Sequence, residues 1–132
     1  MVHHWFFNMD TDWYDLRMAV TAQCELIDQC YFDALYADIE YTNLGGVTQM
    51  FQADPASLVV MMQTIIGSGG SLINGFVWGA SDNSQVPFTF ADLQGLANAI
   101  YMRGNGLYFH QQMKKAEIRA CTDVESVSLI NW

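Results

Sequence analysis

The sequence predicts an α+β domain with a long N-terminal helix, a small antiparallel sheet (one strand plus a β-hairpin), a middle helix and a long C-terminal helix. Three observations predict it. Apolar residues recur at helical spacing near both ends of the chain. Between those stretches lie short β-branched and aromatic runs bounded by glycine, asparagine and serine. The chain has 132 residues, enough for one domain to bury about two thirds of its unfolded surface without disulfides or a structural metal. Residues 1–10 read as an N-terminal arm and residues 11–132 as the single α+β domain.

In the arm the large anchors are Trp5, Phe6 and Phe7. These rings either fold back onto the domain's own core or plug a pocket on a neighbouring subunit, since aromatic clusters dominate interface hot spots. Thr11 is placed to cap the first helix, with Asp12 and Asp15 in the first turn, where the helix dipole favours anions. Trp13, Leu16, Val20, Cys24, Ile27, Tyr31 and Leu35 then recur at spacings of three and four, with Gly45-Gly46 as the stop. Tyr14, Met18, Phe32 and Tyr36 form a second apolar patch, and a helix that is apolar on two sides touches two things. One helix over 11–42 would be ~48 Å long. A compact body of this size is only about 36 Å across, so the helix either breaks or protrudes. Asp38 falls on the main stripe and marks where it meets solvent or a cation, because burying it unpaired is costly.

Val47 to Ala53 read as a strand. Asp54-Pro55 opens the middle helix, with Asp at the cap and Pro where its missing N–H costs nothing. Gly67-Ser68-Gly69-Gly70 ends it. Leu72 to Ala80, the turn Ser81-Asp82-Asn83-Ser84, and Gln85 to Thr89 make the hairpin, with Pro87 suited to an edge. Phe76 and Trp78 alternate along it and are expected to pack inward. Thr89 and Asp92 form a capping box in which Asp replaces the usual Glu. Leu93, Leu96, Ile100, Leu107, Ile118 and Cys121 then share one side of the last long helix. Their phase survives Gly104-Asn105-Gly106, so one helix is expected, with close packing at Gly104. Thr122 to Glu125 cap a final short turn.

Charge narrows the function. Five Lys+Arg against fourteen Asp+Glu give a formal −9, the wrong sign for a nucleic-acid binder. Charged residues make up 14% of the chain and hydrophobic ones 52%. That is a thin ionic coat beside the roughly 25% charged residues of an ordinary domain, so surface hidden against another protein is expected. The long C-terminal helix carries Arg103, Lys114, Lys115 and Arg119, whereas the first helix is acidic with Arg17 as its cation. The two are suited to pair, within one chain or between neighbours. The longest apolar run, Leu58 to Met62, is far short of the ~20 residues of a membrane span. The opening residues do not read as a signal peptide. Cys24, Cys30 and Cys121 are an odd number, read as free thiols in a chain made in a reducing compartment.

Candidate chemistry is sparse. His3, His4 and His110 lack metal-ligand spacing, and Asp10-Thr11-Asp12 fails as a calcium loop at Asp15 and Thr21. The glycine-rich stretch at 67–70 follows a helix and lacks a lysine, unlike a phosphate cradle. Cys121 and His110 lie three turns apart, about 16 Å. No catalytic residue, cofactor or metal site is expected.

The second half of the chain resembles a known family through Gly45-Gly46, Phe51-Gln52-Ala53-Asp54, Ser57, the hairpin from Val77-Trp78 through Asp82 to Val86, the long helix from Thr89, and the tail Ile130-Asn131-Trp132. This is the small α+β domain of unknown biochemical activity found in tailed bacteriophages, often in tail-fibre and tail-fibre-assembly proteins. The likeness covers residues 31 to 132. It departs from the family's charged, alanine-rich final helix at the aromatic stretch Tyr101 to Gln112. The resemblance implies a non-enzymatic phage tail component that acts by protein–protein contact: an oligomeric structural virion protein on a fibre or baseplate, with no nucleic-acid or membrane partner. The alternatives are a tail-fibre assembly chaperone and, outside the phage setting, a small acidic enzyme or ligand-binding module. Partner contacts are expected at Trp5, Phe6, Phe7, Trp13, Val20, Ile27 and Leu35.

Overall fold

A computed structural model describes residues 9–132, with side chains described from Thr11 onward; Trp5, Phe6 and Phe7 lie outside the described residues. The elements in order are α1 (Met9–Leu35), β1 (Ile39–Thr42), β2 (Thr48–Phe51), α2 (Pro55–Ser68), β3 (Val77–Gly79), β4 (Gln85–Pro87), α3 (Phe90–Arg119) and α4 (Val124–Ser128). The protein is therefore α+β. In place of one sheet built from a strand and a hairpin there are two antiparallel hairpins, β1–β2 and β3–β4. The chain forms two compact units, one through Phe32 together with Tyr108–Trp132, the other Asp33–Leu107.

The helical unit buries Cys24, Ile27, Ile118 and Val127, with Leu16, Ala19, Val20, Cys121, Ile130 and Trp132 packed around them. Thus the α1 stripe meets the last turns of α3, α4 and the tail. The acidic and basic helices pair as their charges suggest: Lys115 Nζ lies 2.9 Å from Asp28 Oδ1, and Gln111 donates to the same oxygen at 2.8 Å. These bonds, the Lys115 one foremost, hold the Asp28 carboxyl below the usual carboxylate range. Because the helix begins at Met9, Thr11 lies inside it instead of capping it. The final turn is capped by Asp123, which accepts from Ser126 N at 2.8 Å, one position later than the Thr122 box.

In the sheet unit, α1 ends at Leu35, and residues 39–42, expected as helix, form a strand. Their burial alternates along the chain, the period of a half-buried strand. Arg103 supplies the reason for the stop. Its Nη2 donates to the carbonyls of Leu35 and Ala37 at 2.9 and 2.8 Å, and its Nη1 reaches the Asp38 carbonyl at 3.2 Å. A helix end leaves carbonyls without partners; here a guanidinium takes them. Asp38 is exposed beside that cation. Gly45-Gly46 serves the β1–β2 turn, with Gly46 at φ 86°.

The core of this unit gathers Phe51, Met61, Val86, Phe88, Leu93 and Leu96, among others, with Tyr41, Phe76 and Trp78 packed against it. Phe76 and Trp78 thus point inward as their alternation predicts, Trp78 pairing with Val86 across the hairpin. Asp92 is 2% exposed and ties three segments together. Its Oδ2 accepts from Thr89 N at 2.8 Å, while Thr89 Oγ1 accepts from Asp92 N at 3.1 Å, the reciprocal bonds of the expected capping box. Its Oδ1 accepts from Leu44 N at 2.8 Å, and the Tyr41 phenol faces the carboxylate. Burial opposes ionisation of Asp92, but these donors outweigh it and hold the carboxyl below its ordinary value. The Tyr41 phenol packs so closely on α3 that a Cβ at Gly95 would collide with its oxygen. Gly104 meets Leu35, whose Cδ1 would lie 3.2 Å from an added Cβ, whereas Gly106 faces open space. Close packing therefore accounts for the first helical glycine and not the second.

Candidate functional site

The middle helix is built from strong local signals. Asp54 sits at its N-cap in extended backbone and Pro55 opens its first turn; Gly69 closes it in the left-handed region, φ 59°, donating to Ile66 O. The Ser57 hydroxyl donates to Asp54 Oδ1 at 2.5 Å, and this bond foremost lowers the Asp54 carboxyl below its usual range. One side of α2, through Met61, Leu58 and Ile65, joins the core. The other leaves Val59, Val60, Met62 and Ile66 exposed, at 55, 51, 53 and 73%.

No charged residue occurs from Pro55 to Ser81, so nothing ionic interrupts the exposed side of α2. That side carries a groove of about 490 Å³ lined by Leu58, Val59, Met62, Gln63, Ile66 and Gly67. The lining residues fall in two rows of spacing four, Leu58–Met62–Ile66 and Val59–Gln63–Gly67. Rows of this kind are the ridges of a helix, and the groove between them is the shape that another helix's ridge fills. Gly67 leaves the end of one row without a side chain. Sequence reasoning placed this helix but not its open face. The signal that would have found it is the uncharged run itself, since an ordinary surface helix keeps charged residues on its outer side.

The expected contact residues divide. Trp13 is 57% exposed, with the Arg17 guanidinium 5.0 Å from its ring centre. Val20 is half-buried against the helical core. Ile27, at 1% exposure, is inside it, and Leu35 is half-buried beside Gly104 in the sheet unit. The middle of the α1 stripe, Leu16, Val20, Cys24 and Ile27, is the side that packs within its own unit. The second patch is the open one, with Tyr14, Met18 and Phe32 exposed at 59, 54 and 47%.

The other clefts are less distinctive. One of about 570 Å³ in the helical unit is lined by Arg17, Lys115 and Arg119 together with Glu25, Asp28, Cys24 and Cys121. Within it Lys115 is paired with Asp28. His110 stacks edge-on against Trp132, ring centres 4.5 Å apart, and Cys121 Sγ donates to Glu117 O at 3.4 Å. Cys24, Cys30 and Cys121 are free thiols. Among the described residues no three His, Cys, Asp or Glu side chains are grouped to hold a metal, and no helix is long and apolar enough to cross a membrane.

Fold and surface together define a small α+β protein in which, among the described residues, an uncharged helix keeps one apolar face exposed. The chain belongs to the family described as a domain of unknown function (DUF4376), whose model matches residues 18–131. It is also similar to the probable transcriptional regulatory protein SilR of Salmonella typhimurium, with 26% identity over 102 residues. That match covers 77% of this chain but 42% of the relative, so the chain spans less than half the length of the curated protein it matches. No solved structure matches the chain.

Proposed function

We propose that this protein is a non-enzymatic docking component that works by protein–protein contact, and that its setting is a bacteriophage tail, attached to a fibre or baseplate. The observation that carries the docking reading is the open, charge-free face of α2, with Val59, Val60, Met62 and Ile66 half or more exposed. Contiguous apolar surface of this kind marks interaction sites. The phage setting rests on the resemblance of residues 31 to 132 to the tail-fibre and fibre-assembly domains. The partial likeness to a probable transcriptional regulator does not favour DNA contact here, because a chain of net charge −9 repels phosphate.

The test is sedimentation of purified phage particles with the chain tagged. A fixed stoichiometry in intact particles is the expected result. Presence on fibre intermediates and absence from finished particles would replace the structural role with that of an assembly chaperone. Absence from both would overturn the phage reading.

A further inference from the structure

We infer that the α2 groove is occupied by α2 of a second copy of this chain, the two helices crossing about a two-fold axis near Met62. This deepens the docking reading by naming the partner, and it rests on that reading.

Two observations select a second copy over an unrelated partner. The first is charge. Across a two-fold axis every side chain near the axis faces its own twin, so a charge there is opposed by a like charge. A chain carrying −9 therefore needs a neutral strip to meet itself, and Pro55 to Ser81 has no charged side chain. A partner of different sequence has no such requirement, and complementary rim charges give that kind of interface its specificity. The second is shape. Leu58, Met62 and Ile66 form a ridge beside the groove that they help to line. The ridge of one copy therefore fits the groove of the other and receives the same in return. Interdigitated rows of spacing four cross at about −50°. Met62 is the middle of its ridge and falls nearest the axis.

The contact is one short helix against another, well under the roughly 1,200 Å² of a standard interface. Association of the isolated chain is accordingly weak, reversible and concentration-dependent. In an assembly that already holds the copies close, effective concentration makes up the difference.

The experiment is sedimentation equilibrium of the full chain from micromolar to millimolar concentration, with three variants. Wild type passes from monomer to dimer. Met62→Glu and Met62→Lys, whose exposed position leaves the far-ultraviolet circular dichroism melt unchanged, each weaken the dimer by about 100-fold or more, as like charges meet at the axis. Mixing the two variants in equal amounts restores dimer, a result that only contact between the same position on two copies produces. A third variant, with Trp5, Phe6 and Phe7 replaced by serine, dimerises as wild type does. Loss of the dimer in that variant would make the arm the occupant of the groove and overturn the inference. So would a monomer at every concentration, or a mixture that fails to recover; neither bears on whether the chain sediments with particles.

Discussion

The two units handle their surplus of apolar side chains in opposite ways. In the helical unit the regular stripe of α1 turns inward, and Cys24 and Ile27 close against Ile118 and Val127. Its outward rings stand among acidic residues and Arg17. In the sheet unit a carboxylate, Asp92, is drawn inside and surrounded by donors, while α2 keeps an apolar face outside with no charge on it. The difference teaches that periodicity identifies the side of a helix that packs, whereas on α2 the uncharged side is the one that stays exposed. Exposure alone separates neither, since Trp13 and Val59 are similarly exposed.

The contrast can be broken deliberately. The largest effect is expected from Ile27→Ala, which opens a cavity in the helical core and costs about 3 kcal/mol, read by urea denaturation. A loss below about 1 kcal/mol would mean that the α1 stripe is not committed to its own unit. Asp92→Asn comes next, at about 2 kcal/mol, because an amide N–H then confronts backbone donors in a buried site.

The same carboxylate sets a pH dependence. Its folded pKa is depressed, so its stabilisation is fully present above the unfolded carboxylate value of about 3.9 and is lost as pH falls through the lower folded value. Melting temperature measured below about pH 4 should therefore fall more gently in Asp92→Asn than in wild type. Lys115→Met, which removes the partly exposed bond to Asp28, is expected to cost about 0.5–1 kcal/mol after solvent screening. Smallest is Val59→Asn, with folding stability within about 0.5 kcal/mol of wild type. A larger loss there would show that the α2 face supports the fold, and the contrast between the two units would fail.

Much of the architecture was legible where its cause is local. The Asp54-Pro55 start and the glycine stop of α2 act within a few residues of the helix ends they specify. So do the Thr89–Asp92 box and the Asp82 turn, where Ser84 N donates to Asp82 Oδ1 at 2.9 Å. The continuity of α3 through Gly104 and Gly106 was readable because the apolar phase is preserved across them. The end of α1 was not readable in this way. The group that takes its last carbonyls is Arg103, 68 residues further along the chain than Leu35, and the strand it releases at 39–42 is recognisable only beside its partner at 48–51. Gly95, on α3, was likewise silent, because its reason is Tyr41 on β1. For the candidate site, the helix was legible and its exposed apolar side was not: the regular stripe of α1 drew attention, whereas the character of α2 lay in the charged residues it lacks.

What the amino-acid sequence determined by itself is the set of caps, turns and apolar phases, and with them the α+β class, since each rests on hydrogen bonds and dihedral preferences spanning a turn or less. Tertiary structure alone decided where α1 stops, which apolar stripes are enclosed and that α2 keeps one face open. Those outcomes depend on which distant side chains arrive to cover a surface, and contacts between residues far apart in the chain are settled only when the whole chain packs.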